Sequence, residues 1–154
     1  MIATVLDRFP TPPCAALLGL QIDSIDRPRR SVRVRFEARP EFCNAAGNVQ
    51  GGLLTAMLDD CMGPAVLIDT GAALYPVTIS MTVTFLSPAR PGPIFGAAVI
   101  RQLGKTIGFL EACLEDADGV EIARATSSVR LVPMRLEPLE LHPAEGESLR
   151  RRSA

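Results

Sequence analysis

The sequence predicts an α+β fold, an antiparallel β-sheet wrapped around one long central helix. Three observations predict it. Residues 48–68, NVQGGLLTAMLDDCMGPAVLI, form one almost wholly apolar stretch that is too long for a strand and has helical length. On both sides of it the pattern changes to alternation of apolar and polar residues, the period of a strand with one wet face. The 154 residues, 47% hydrophobic and 21% charged, are enough for a single core and show no linker or internal repeat that would divide them.

The elements follow in chain order. Residues 3–19 carry one short helical pattern broken by Pro10, Pro12 and Pro13, and CAALLGL reads as a final turn that stops at Gly19. Its expected role is a lid or brace. LQIDSID and residues 32–38 form a hairpin around RPRR, with Val32, Val34 and Phe36 on one face and Arg33, Arg35 and Glu37 on the other. After the helix, YPVTISMTVTFLSPAR alternates again. Here Val77, Ile79, Met81, Val83 and Phe85 are expected on one face, and Thr78, Ser80, Thr82 and Thr84 on the other. Strands at about 94–103 and 106–116 meet at LGKT, and the Asp118-Gly119 pair turns the chain into a last strand at about 120–132. The domain is therefore read as 1–133. Residues 134–154, rich in proline and charge, are read as a loose tail holding His142 and the solvated run Arg150–Arg152.

Composition excludes several function classes. A formal net charge of −1 supplies no basic field for nucleic acid. No signal peptide is recognised, and the apolar runs are read as too short for a membrane span. Cys14, Cys43, Cys61 and Cys113 are scattered without a CxxC pair, which fits reduced thiols in a cytoplasmic protein and offers no metal site. Cys61 reads as core packing and Cys43 as lining. The single histidine, His142, lies in the tail, so Ser-His-Asp and Cys-His chemistry are improbable. Neither a P-loop, a GxGxxG nor a GxSxG motif occurs.

The long helix poses the chemical question. At 100° per residue, Leu53, Leu54, Met57, Leu58, Cys61, Ala65 and Ile68 form one broad stripe, and Asp59 falls nearly opposite its centre. Thr55, Ala56, Met62, Gly63 and Val66 share that far side, where neither Lys, Arg nor Glu occurs. A helix apolar all round is covered all round, and a sheet covers one side, so a second copy of the chain is expected on the other. Asp59 would then be enclosed at a two-chain seam, while Asp60, nearer the stripe's edge, would reach solvent or an arginine. Pro64 withdraws the hydrogen bond to the Asp60 carbonyl and should kink the helix. From the helix pattern alone, such a carboxylate is equally a structural acceptor or a salt-bridge partner. The helix start favours chemistry: Gly51 and Gly52 expose N–H groups at its positive end, with Asn44 six residues before Gln50 and Asp59 nine after it.

In that register, NAAGNVQGGLLTAMLD resembles the hotdog-fold acyl-CoA thioesterases, particularly the phenylacetate-pathway (PaaI-like) type. MTVTFLSPAR, GKTIGF and DADGVEIARATSSV look like the family's later strands, so the likeness spans roughly 14–132. The resemblance implies hydrolysis of an acyl-CoA or related thioester to free acid and thiol, with no cofactor, since coenzyme A belongs to the substrate. It implies that the Gly51 N–H polarises the thioester carbonyl, that Asn44 binds the same oxygen or orients the acyl group, and that Asp59 is base or nucleophile. Thr78 falls where some relatives carry an assisting serine. Gln50 replaces the usual histidine; it keeps a donor and an acceptor but cannot titrate near neutrality. Gly52, Thr55 and Met62 are expected beside the substrate, and Arg90 and Lys105 near the phosphates of CoA.

One geometric argument is independent of the resemblance. Gly51 and Asp59 are eight residues apart, about 12 Å along one helix. Two groups acting on one reacting centre must each lie about 3 Å from it. Two antiparallel helices across a twofold axis can supply both, so the expected assembly is a homodimer, or two dimers paired as a homotetramer. Because Gln50 cannot move a proton, a non-catalytic acyl-CoA binding or regulatory module stands as the alternative, and a purely structural subunit as a third.

Overall fold

The computed structural model describes residues 2–134, and the tail read at 134–154, with His142 and Arg150–Arg152, lies outside the described residues apart from Met134. Thr4 opens the chain with a capping box, its hydroxyl accepting from the Leu6 N–H while the Asp7 carboxylate accepts from the Thr4 N–H, around a 3-10 turn at Val5–Arg8. Helix α1 (Pro13–Leu18) starts at a proline and stops at Gly19, whose φ of 71° is the left-handed conformation that glycine adopts without strain. Ala15 and Leu18 are buried, so α1 is a brace on the core.

Six strands make one sheet: β1 (Gln21–Asp26), β2 (Ser31–Ala38), β3 (Leu74–Phe85), β4 (Gly92–Leu103), β5 (Ile107–Glu115) and β6 (Glu121–Pro133), in the order β1-β2-β4-β5-β6-β3 with every pair antiparallel. Helix α2 (Gly51–Asp69) runs between β2 and β3 in sequence and lies against the sheet's inner face, which is the hotdog architecture. Each expected strand is present within a few residues of its expected ends. The Asp116 carboxylate ties the β5–β6 turn, accepting from the Asp118 and Val120 N–H groups, and Gly119 takes a φ of 79°.

The core is the inner face of the sheet closed by α2: Leu54, Met57, Leu58, Cys61 and Ala65 meet Val32, Val34 and Phe36 of β2, Ile94 and Ile100 of β4, and Leu110 and Leu114 of β5. Each fully buried Leu, Met, Ile or Phe contributes about 1.5–3 kcal/mol relative to exposure. Gly96 of β4 is required by this contact, because a Cβ there would lie 2.4 Å from Cys61 Sγ. Cys61 is fully buried and its thiol is held well above its ordinary range by burial, which agrees with a packing role.

Two expectations for the helix need correction. First, α2 is long and apolar enough to cross a membrane by length and composition, contrary to the reading that the apolar runs are too short; half of its apolar window is buried inside the fold. Second, Met62 and Val66, assigned to the side bearing Asp59, are core residues at 2% and 0% exposure. The sheet curls around the helix, with β2 through β6 all touching it, and the N-terminal 3-10 turn packs on it as well. The helix is continuous through Pro64.

The faces of β3 also differ from simple alternation. Thr78 pairs with Val129 and Ser80 with Ser128, leaving Ile79 as an extra, unpaired residue. A bulge of this kind inverts the alternation on one side of it. Met81, Val83 and Phe85 share the inner face, as expected. Before the bulge, however, Thr78 points inward beside buried Val129, and Val77, paired with exposed Arg130, points outward.

Candidate active site

On the side of α2 turned away from the core, Gly52, Thr55, Ala56, Asp59 and Gly63, spaced three or four apart, form a stripe of exposed and half-buried residues. A Cβ on Gly52 or Gly63 would meet nothing within 4 Å. Beside the stripe runs β3, hydrogen-bonded only to β6, with its other edge unpaired and with Tyr75, Val77, Ile79 and Phe85 all about half exposed.

The bulge brings the two predicted groups together. Thr78 Oγ1 donates to Asp59 Oδ1 at 2.8 Å, from the edge strand to the middle of the helix. This holds one carboxylate oxygen and leaves the other open. Asp59 itself is exposed. The desolvated acid is its neighbour: Asp60 is pushed up to about 6, first by burial and then by the Asp59 charge, and its Oδ2 is buried without a partner among the described residues. The expectation that Asp60 reaches solvent or an arginine is thereby corrected, while Asp59 lies on the open side of α2, where the expected second copy would enclose it. Asp60 lies on the side of α2 that the N-terminal segment covers, where Cys14 of α1 is close enough to feel both carboxylates, after burial, as an upward push on its thiol. No cation forms an ion pair with either acid among the described residues.

The helix start follows a loop tied by its own hydrogen bonds. Asn44 Oδ1 accepts from the Ala46 N–H at 2.9 Å and the Asn48 N–H at 3.3 Å, and Gly47 turns at a φ of 73°. The carboxamide oxygen of Asn44 is thus occupied, and its amide nitrogen is the group left to meet a ligand. Gln50 anchors the loop, donating its N–H to the Phe42 carbonyl and accepting at its own carbonyl from Leu53 and Leu54, while its side chain makes no capping bond. The N–H groups of Gly51 and Gly52 have no acceptor among the described residues. They lie at the positive end of a 19-residue helix, a natural seat for a carbonyl oxygen that gains negative charge.

The remaining predicted residues are placed less centrally. Thr55 Oγ1 bonds back to the Gly51 carbonyl at 2.9 Å, so it offers the open stripe its methyl group. Arg90 Nη1 donates to the Gly47 carbonyl at 3.3 Å, steadying the loop near the helix start. Met62 is closed off in the core. Lys105 lies in the β4–β5 turn, at the opposite end of the sheet from Gly51, since β4 begins at Gly92 opposite Ala38 and ends at Leu103, paired with Gly108. One residue that sequence reasoning did not assign to the site is Phe85, whose ring lies against Gly51. Its inner-face spacing from Met81 and Val83 was the available signal. Among the described residues no cluster of three or more His, Cys, Asp or Glu could hold a metal.

Comparison with known proteins identifies the family and the fold. The model of the thioesterase superfamily matches residues 46–123, which include the end of the loop after Asn44, all of α2 and strands β3 to β5. Acyl-coenzyme A thioesterase 13 of Homo sapiens is 35% identical over 99 residues, 62% of this chain and 69% of that protein. Among solved structures, a phenylacetic acid degradation-related protein from Ralstonia eutropha JMP134 is 31% identical with a TM-score of 0.74, covering 82% of this chain and 95% of that one. The PaaI protein of the E. coli phenylacetic acid degradation operon shares the fold at a TM-score of 0.71 and 22% identity, over 79% of this chain and 85% of its own. With the family model spanning half the chain, this chain belongs to the thioesterase superfamily and is a thioester hydrolase of the hotdog fold.

Proposed function

We propose that this protein hydrolyses acyl-coenzyme A thioesters to the free acid and the thiol, at sites shared between two copies of the chain. The observation that carries the reading is the Thr78–Asp59 hydrogen bond, set on the one open stripe of α2 beside an unpaired strand edge. Gly51 and Asp59 of one chain are separated by about two helical turns. The Asp59 of a second, antiparallel α2 packed on the stripe approaches the first chain's Gly51. Small residues at 52, 56 and 63 let two such helices come close.

In this reading the thioester carbonyl oxygen accepts from the Gly51 N–H, and the amide nitrogen of Asn44 donates to the same oxygen. Asp59 of the second copy, held by Thr78 at Oδ1, uses Oδ2 either to take a proton from water or to attack the carbonyl carbon directly. In the base route water forms the new C–O bond, the C–S bond breaks, and the thiolate leaves with the proton that Asp59 has taken. In the direct route Asp59 forms a mixed anhydride as the C–S bond breaks, and water then cleaves the anhydride, which frees the acid, restores the carboxylate and supplies the proton for the thiolate. Family resemblance to acyl-coenzyme A thioesterase 13 supports CoA as the thiol. Gln50, an uncharged residue at the helix start, orients but moves no proton.

The test is free-thiol release over a panel of aliphatic and aromatic acyl-CoAs, combined with subunit complementation. Gly51→Pro removes the N–H at the first helical position, where the backbone suits proline because Gln50 already has the extended ψ of 134° that a following proline requires, and where the Phe85 ring must give by a few tenths of an ångström to admit the added Cβ. Asp59→Asn removes the carboxylate. Each variant alone should be inactive, and the mixed pair should regain activity at one of its two sites. Absence of recovery in confirmed mixed dimers would sink the shared site. The exposed Gln50 side chain favours one second reading, an acyl-CoA binding module, for which native protein would bind a thioester tightly and release no thiol.

A further inference from the structure

The Phe85 ring is placed oddly for a large apolar group. It is 51% exposed, although it lies on the inner face of β3 with Met81 and Val83, both of which pack against the core. Its far edge rests on the start of α2: a Cβ built on Gly51 would lie 3.2 Å from Cζ, 3.4 Å from Cε1 and 3.6 Å from Cε2. Both ends of this contact are anchored. Behind Phe85, the N–H groups of Leu86 and Ser87 both donate to the Ile122 carbonyl, and before Gly51 the Val49 N–H donates to the Ala89 carbonyl. The ring therefore has one edge against the backbone of the helix's first residue and much of its surface open, directly beside Gly51, whose N–H has no acceptor among the described residues.

We infer that Phe85 is a specificity-determining residue, the apolar wall against which the acyl group of the thioester lies while its carbonyl oxygen meets the Gly51 N–H. The inference rests on the proposed thioester site and names which part of the substrate the ring reads. An open aromatic surface beside a hydrogen-bond donor matches a molecule that is polar at one atom and apolar at the next, which describes an acyl carbonyl and its carbon chain. The pantetheine arm on the sulfur side carries amides that such a ring would leave unsatisfied. Because the ring touches Gly51, no space exists between them, and bulk on the carbons nearest the carbonyl must compete with the ring for position.

The experiment compares kcat/KM for straight-chain and α-branched acyl-CoAs of equal carbon number in native protein, Phe85→Ala and Phe85→Leu. Removing the ring should raise the branched-to-straight ratio by about 10-fold or more, the usual worth of a few methylene-sized groups in a pocket, and Phe85→Leu should move it in the same direction by less. The same acyl pairs on N-acetylcysteamine should show the same change of ratio, since the acyl side is what the ring reads. A uniform change for every acyl group, or a change confined to CoA thioesters and absent from the short thiol, overturns the assignment. If native protein releases no thiol, the hydrolysis reading fails, and the ratio is read instead as relative Kd for thioether analogues of the same acyl groups. Analogue binding that is absent, or indifferent to Phe85, then overturns this inference too. Phe85→Leu keeps most of the apolar volume, so the test does not depend on Phe85→Ala folding.

Discussion

Thr78 Oγ1 donates a 2.8 Å hydrogen bond to Asp59 Oδ1, and it can do so only because Ile79 is bulged out of the β3–β6 ladder. In a regular strand Thr78 would face the same way as Ser80, Thr82 and Thr84, on the solvent side of the sheet. With the bulge it faces the helix.

Thr78 is therefore expected to act by holding the carboxylate. Thr78→Ala should lower kcat by roughly 10-fold to 100-fold, the worth of a hydrogen bond to a charged group, with little change in KM, and Thr78→Ser should recover most of the loss. Asp59→Asn should cost about 100-fold or more. Steady-state thiol release measures all three.

Deleting Ile79 removes the bulge and should turn Thr78 away from Asp59. The deletion variant should lose activity at least as severely as Thr78→Ala while keeping its sheet content by far-UV circular dichroism. Retained activity would mean that the bulge does not aim the threonine.

Asp60 gives the protein a pH signature. Its carboxyl is raised from the ordinary carboxylate range to about 6, so the folded state binds more protons than the unfolded chain between about pH 4 and 6. Stability should therefore fall as pH rises through that window and stay lower above it, by an amount of order 1–2 kcal/mol once partial solvent screening is allowed for. Asp60→Asn should remove the dependence and raise Tm at neutral pH. Urea unfolding at pH 4.5 and 7.5 reads it directly.

Gly96 and Cys61 should be coupled. A Cβ at 96 would meet Cys61 Sγ at 2.4 Å and Val34 Cγ2 at 2.9 Å, so Gly96→Ala is expected to destabilise by about 1–3 kcal/mol. Cys61→Ala opens space for it, and the double variant should lose less than the sum of the singles. Strict additivity in denaturant unfolding would show that Val34 alone resists the methyl group.

The β3 edge supplies the last expectation. A lysine at Ile79, which is 57% exposed on the unpaired edge, should keep two copies apart while leaving the single-chain core intact. Sedimentation should then report a smaller species, and thiol release should fall with the loss of the shared site.

Periodicity by itself determined the architecture. Alternation at residues 32–38 and the helix-length apolar run after Gly51 are local consequences of which faces are buried, and they led directly to β2 and α2. The glycine pair, Asn44 and Asp59 were legible for the same reason, since their spacing along one loop and helix is covalent. Tertiary structure alone decided what depends on neighbours distant in the chain. The curl of the sheet drew Met62 and Val66 into the core. The N-terminal segment covered Asp60, which the sequence pattern had placed at solvent or an arginine. One unpaired residue, Ile79, inverted the first half of β3, and it is set by the register with β6, about fifty residues further on. No window of the sequence contains both strands, so no local pattern could show that Thr78 would meet Asp59.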